Sequence, residues 1–185
     1  PAAVLVAAAQ EQLLKGLDAA EALNKARKQV AGILSCSPDE IYFSQGGSIA
    51  NNTAVYGAVN ALRRRGNRIV TTSIEHPSVL RCMQDLESKG FEVVYLKPNR
   101  YGSFSQDDLY NAVNRNTILV SIMAVNNEIG VINPVAAASK AIKRAQSPAL
   151  LHCDAVQAFG KLPLHPSKDG IDLLSVSAHK VHGPK

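Results

Sequence analysis

The chain has no tryptophan, and aromatic residues make up only 5% of its 185 positions. With so few rings, a stacking surface for nucleic acid is excluded, although the formal net charge is +5. The one basic cluster, Arg63-Arg64-Arg65, has no aromatic interleaved with it and reads as a solvated helix end, where cations are favoured. A small anionic substrate or an acidic protein partner stays compatible with that charge. Three scattered cysteines, Cys36, Cys82 and Cys153, make neither a disulfide framework nor a zinc pattern, which fits a reducing, cytoplasmic setting and no metal site. No apolar run approaches the ~20 residues of a membrane span. Ala7-Ala8-Ala9 imitates a signal-peptide cleavage site, but no basic region precedes it.

What is present is an alternation of helical and extended patterns. Leu13, Leu17, Ala20, Leu23, Val30 and Leu34 recur at helical spacing and predict a helix over about 5–34, with a break near Gly16. Strands are expected at Ile41–Phe43, Arg68–Thr72, Phe91–Leu96, Thr117–Val125, Ala149–Cys153 and Ile171–Val176. Between them, helices are expected after Gly46-Gly47-Ser48, from Pro77 to about Ser88, from Ser105 to Val113 and from Pro134 to Ala145. This order predicts an α/β fold of three layers, a mostly parallel sheet flanked by helices. Length alone suggests one domain. In such sheets ligands sit at the carboxyl ends of the strands, so the segments after Phe43, Thr72, Val125, Cys153 and Val176 should share one site.

Each of those segments carries chemistry. Ser177-Ala178-His179-Lys180 follows a buried strand, and a lysine made neutral by burial or a cationic neighbour is a nucleophile able to form a Schiff base. A solvated surface turn is the plain alternative. Asp154 ends the preceding strand, 26 residues earlier. A lysine imine with an aspartate on a pyridinium nitrogen is what pyridoxal phosphate (PLP) chemistry requires. Gly46-Gly47-Ser48 opens a helix whose free N–H groups and dipole suit an anion, although a glycine turn is often only a turn. His76 precedes Pro77 and is therefore biased to an extended backbone, and a lone loop histidine is usually surface polarity. Asn126-Asn127-Glu128 by itself reads as turn chemistry.

Four of these stretches, in this order, resemble the cysteine desulfurases of the NifS/IscS type within the class V aminotransferase group. They are I-E-H-P-S-V, V-N-N-E-I-G, H-C-D-A-V-Q and S-A-H-K-V-H-G-P-K, and the resemblance runs from about Ala26 to Lys185. It implies the large PLP-binding domain of a fold type I, aminotransferase-like enzyme. It also implies a homodimer that converts L-cysteine to L-alanine and passes sulfur on as a persulfide, for iron–sulfur cluster or other sulfur-cofactor assembly. The roles it implies are Lys180 forming the Schiff base with pyridoxal 5'-phosphate, Asp154 on the ring nitrogen and His76 stacked on the ring. It places Asn127 and Gln157 on the phenolic oxygen, and Gly47, Ser48, Ser177 and His179 at the phosphate. Two positions depart from the family's glycine-turn pattern: Gln45 stands where serine is usual, and Ile49 where glutamate is.

The resemblance also sets an expectation about extent. Residues 1–185 correspond to an incomplete large domain. The family's N-terminal segment, its C-terminal small domain, its persulfide-forming cysteine on a mobile loop and its carboxylate-binding arginine have no counterpart here. The expectation is that this chain alone is inactive in desulfuration. The readings that compete are another class V enzyme such as a selenocysteine lyase or aminotransferase, a non-catalytic fragment or scaffold, and a generic nucleotide-binding α/β domain. Partners implied are L-cysteine, a second copy of the chain and a sulfur-acceptor or scaffold protein, with neither nucleic acid nor membrane.

Overall fold

A computed structural model describes residues 3–7 and 17–183, and side chains from residue 20 onward. Seven strands form one sheet: β1 (Ala3–Ala7), β2 (Ile41–Ser44), β3 (Arg68–Thr72), β4 (Glu92–Leu96), β5 (Thr117–Met123), β6 (Leu150–Asp154) and β7 (Leu173–Ser177). Their spatial order is β2-β1-β7-β6-β5-β3-β4, and every ladder between them is parallel. The antiparallel pairing among the described residues is an isolated bridge, Val125 to Ile132. A parallel sheet needs crossover connections, and helices α1 (Leu17–Leu34), α2 (Gly47–Leu62), α3 (Pro77–Ser88), α4 (Gln106–Ala112), α5 (Val135–Ala145) and α6 (Pro166–Asp169) lie between the strands. The expected three-layer α/β fold is the observed one.

The two faces of the sheet bury different helices. Val120, Ile122, Leu151, Cys153, Leu174 and Val176 point to the side covered by α1, α4 and α5, where they join Leu34, Leu109, Ala138 and Ala141 in one cluster. The alternate residues Ile69 and Leu119 pack with Val55 and Val59 of α2 and Val79, Met83 and Leu86 of α3. This period of two follows from the pleat. Local signals fix the ends: Pro77 occupies the first position of α3, and Ser105 caps α4 in a reciprocal box with Asp108.

One expectation fails. Residues 5–7, read as the start of a long helix, are extended in β1, which pairs with β2 on one side and β7 on the other. A short apolar run carries no periodicity that separates strand from helix, and two flanking strands offering a full set of backbone partners decide for the strand. The predicted break at Gly16 lies outside the described residues, as does Leu13, and α1 begins at Leu17. The four-residue α6 was not anticipated.

Candidate active site

The carboxyl ends of β2, β3, β5, β6 and β7 surround a cavity of about 260 Å³. Its walls include Gly47, Ser48, His76, Asn127, Asp154, Gln157, Ser177, His179 and Lys180, all nine of the candidate residues. Asn51, Ser78, Met123 and Val156 complete the lining. The cavity lies just below the usual range for ligand pockets, which begins near ~300 Å³.

Asp154 is the deepest charged group, 5% exposed at the end of β6. Its Oδ1 accepts the Val156 N–H at 3.0 Å, and its Oδ2 accepts from Asn51 Nδ2 at 2.7 Å. Burial raises its pKa, and the two bonds, together with the nearby His76, pull it back down. A buried carboxylate at the floor of a cavity therefore favours a cationic or protonated partner. Asn51 also donates to Ser78 Oγ at 2.9 Å, and that hydroxyl lies 2.7 Å from His76 Nδ1. His76 Nδ1 also accepts the Ser78 N–H at 3.1 Å, which leaves the ring proton on Nε2. One hydrogen-bonded chain thus runs Asp154, Asn51, Ser78, His76. His76 has an extended backbone, φ −59° and ψ 145°, and caps the start of α3, as its place before proline requires.

On the opposite wall α2 opens with Gly46 and Gly47. Gly46 provides no side-chain cap, so the first N–H groups of a 16-residue helix are available to an anion. A Cβ built on Gly47 would come within 3.2 Å of Val156 Cγ2, a close approach that keeps this wall narrow. Beyond β7 a 3₁₀ turn, Ala178–Val181, ends at His182 in the left-handed region, and the Gly183 N–H closes it on Ala178 O at 2.9 Å. Ser177 Oγ stands 2.7 Å from His179 Nδ1. Lys180 sits on this turn at the cavity rim and is exposed, so the turn is a surface one, as the plain alternative had it, and it still lines the cavity. Gln45 and Ile49, the two departures, are both exposed and outside the lining.

The donor set suits a flat, zwitterionic ligand with an anionic tail. A carboxylate lies at the floor, an amine at the rim, two imidazoles and three amides along the lining, and a helix N-terminus with the Ser48 and Ser177 hydroxyls at one end. The orphaned, buried Oδ1 of Asn51 adds an unused acceptor within the lining. PLP fits this set by its ring nitrogen, aldehyde, phenolic oxygen and phosphate. Sequence reasoning missed Asn51, although it lies one helical turn after Gly47 and so shares its face. Nothing in the local pattern marks Met123 or Val156.

An α/β sheet with a lysine and an aspartate at adjacent strand ends and a glycine-opened helix matches the architecture of the fold type I enzymes, a PLP-dependent class. The chain belongs to the aminotransferase class-V family, whose profile matches residues 5–185. A cysteine desulfurase IscS of Methanosarcina thermophila is 45% identical over 170 residues, covering 92% of this chain and 42% of that protein. A mitosomal cysteine desulfurase of Trachipleistophora hominis is 43% identical over 172 residues, with 92% and 38% covered. Among solved structures, a NifS-like protein superposes with a TM-score of 0.87 at 39% identity, over 95% of this chain and 48% of that one. SspA in complex with cysteine gives 0.86 at 36%, over 95% and 50%. The chain spans less than half the length of the curated relatives it matches. Among the described residues no helix is long and apolar enough to cross a membrane, and no cluster of His, Cys, Asp or Glu is disposed to hold a metal ion.

Proposed function

We propose that this chain is the PLP-binding portion of a cysteine desulfurase, with L-cysteine as substrate and sulfur leaving as a persulfide toward iron–sulfur or related cofactor assembly. The observation that carries the reading is the pairing of buried Asp154 with Lys180 across one cavity that also meets the open start of α2. Relatives named as cysteine desulfurases and a neighbour solved with cysteine support the choice of substrate over selenocysteine cleavage or amino transfer.

PLP, when bound, supplies an electron sink for the bond broken at the substrate Cα. Around it the residues would divide the work. Asp154 would hold a proton on the ring nitrogen, and Asn51 keeps that carboxylate aimed. His76 would handle protons, its Nδ1 held by Ser78. Asn127 and Gln157 would donate to the phenolic oxygen. Gly47, Ser48, Ser177 and His179 would receive the phosphate, and Lys180 would form the covalent link.

Sulfur removal also needs a thiolate able to reach the substrate. None of Cys36, Cys82 and Cys153 lines the cavity, Cys82 and Cys153 are buried, and burial raises all three thiols. A mobile loop bearing the acceptor thiol, a second copy of the chain and a sulfur-accepting protein in a reducing cytoplasm complete the proposal. The experiment is borohydride reduction of the PLP-loaded chain followed by peptide mapping. A pyridoxyl label on Lys180 is expected. A label on another lysine, or none despite bound PLP, would refute it. With PLP and L-cysteine under reducing conditions, this 185-residue chain alone should yield neither sulfide nor alanine catalytically.

A further inference from the structure

The turn between β3 and α3 contains a buried acid that the site does not use. Glu75 is 4% exposed although Ser73, two residues earlier, is exposed and its neighbours Ile74 and His76 are half-buried. Glutamate is almost never this buried unless paired. Neither of the two ion pairs among the described residues involves it. Its Oε1 accepts Thr72 Oγ1 at 2.8 Å and the Met123 N–H at 2.9 Å. Its Oε2 is buried without a partner. Glu75 does not itself line the cavity, but Met123 and His76 both do.

We propose that Glu75 is a positioning residue whose carboxyl group clamps the β3–α3 turn onto the end of β5 and thereby sets where the His76 imidazole stands in the cavity. The clamp joins Thr72 and the lining residue Met123 through one oxygen. Thr72 ends β3, Met123 ends β5, and His76 follows Glu75 directly, so the imidazole's origin is fixed against both strands. Asn126 provides a second strap, donating from Nδ2 to Ile74 O at 2.8 Å. The two accepted bonds favour the charged carboxylate, but burial outweighs them. Burial, joined by the repulsion of Asp154, raises the Glu75 carboxyl to about 8, with the two accepted bonds pulling the other way, so the acid is neutral across most of the neutral range. A neutral acid adds no second negative charge beside the one that Asp154 holds at the floor. The proposal rests on the PLP-enzyme reading only for what His76 does, not for where it is held.

The test uses three variants in the protein carrying this sequence. Glu75→Gln keeps an acceptor oxygen for both donors. Glu75→Ala removes it, and Glu75→Met removes it at nearly constant volume should the alanine variant not fold. The first readout needs no cofactor: the ring resonances of His76 in the PLP-free protein, assigned with His76→Ala. They should move in E75A or E75M and stay in place in E75Q. The second is exchange of the α-proton of L-alanine in D2O with PLP bound. E75A or E75M should slow it by about 10- to 100-fold, the scale of a misplaced catalytic group, while E75Q stays near wild type. Added to H76A, the same substitution should cost nothing further, because both act through one group. An unmoved His76 resonance in E75A or E75M would overturn the clamp whether or not PLP binds. So would a slow E75Q, which would mean that the acid proton itself takes part, or a full additional loss in the double variant. Absence of PLP binding with a moved resonance would instead overturn the functional reading and leave the clamp standing.

Discussion

The same strands β5, β6 and β7 show two unlike faces. Toward α1, α4 and α5 they present Val120, Ile122, Leu151, Cys153, Leu174 and Val176, all buried in one apolar cluster. Toward α2 and the cavity they present Ser121, Met123, His152, Asp154, Ser175 and Ser177. There the fully buried His152 bridges two strands, Nδ1 lying 2.8 Å from Ser121 Oγ and Nε2 3.0 Å from Ser175 Oγ. Apolar burial is worth about 25 cal/mol per Å², whereas a buried polar group returns little beyond its own desolvation. One face therefore supplies stability. The other spends part of it to hold polar groups in register beneath the site. The difference predicts that substitutions on the two faces separate stability from function.

The largest effect should come from Lys180→Ala. It should abolish borohydride-fixed PLP altogether while moving unfolding free energy by no more than about 0.5 kcal/mol, because the side chain is exposed. A large loss of stability in that variant would blur the division. On the apolar face Leu151→Ala should cost about 2–5 kcal/mol in denaturant unfolding, with PLP affinity of the folded protein unchanged.

The buried titratable groups of the polar face should make stability depend on pH in opposite senses. Burial pushes His152 down from 6.5 to about 4. The unfolded chain then takes up a proton that the fold refuses, so stability from this group is present above 6.5 and lost as pH falls toward 4. Glu75 is pushed up from 4.5 to about 8. Here the fold holds the proton longer, so stability is present below 4.5 and lost as pH rises to 8. Between 4.5 and 6.5 the two slopes offset, and above 6.5 wild type should lose on the order of 2 kcal/mol by pH 8. Glu75→Gln should remove that loss and uncover the acid limb of His152, worth on the order of 3 kcal/mol between pH 6.5 and 4. Urea melts at four pH values measure both limbs, and a flat wild-type profile above 6.5 would contradict the assignment. The smallest effect is expected outside the cavity lining, at the start of α2. Ile49→Glu places an acid in the first turn of α2 and should add about 0.3–1 kcal/mol at low salt, an increment that salt should erase.

Much of this was legible because the signals are local. Pro77, Ser105 and the β-branched runs at Arg68–Thr72 and Thr117–Met123 each state their element within a few residues. Strand ends in an α/β pattern then place Asp154, His76 and Lys180 on one side without any tertiary information. What escaped depends on partners far away in the chain. β1 is a strand because β2 and β7 flank it, 34 or more residues off in sequence. Glu75 looks like turn polarity until β5 arrives to receive it. Asn51 reads as a helical surface residue until Asp154, 103 positions later, meets its amide. Whether Lys180 is buried or solvated was open from its buried strand alone, and the chain settles it by turning outward within three residues of Ser177.

The strand order carries a consequence for assembly. β7 is the last of the described strands in sequence, yet it lies in the interior of the sheet, between β1 and β6. Until it docks, β1 and β2 have no ladder to the β6-β5-β3-β4 block, and the two parts are joined only through helix contacts and the connecting chain. β7 closes the sheet and in the same motion brings Ser177, His179 and Lys180 to the cavity wall. During synthesis the amino-terminal strands must wait unclosed while about 130 further residues emerge, exposing a parallel edge that is slow to form and prone to mispairing. The lysine proposed to anchor PLP is thus delivered by the strand that joins the two parts of the sheet, so under that proposal capture of the cofactor through Lys180 follows the joining.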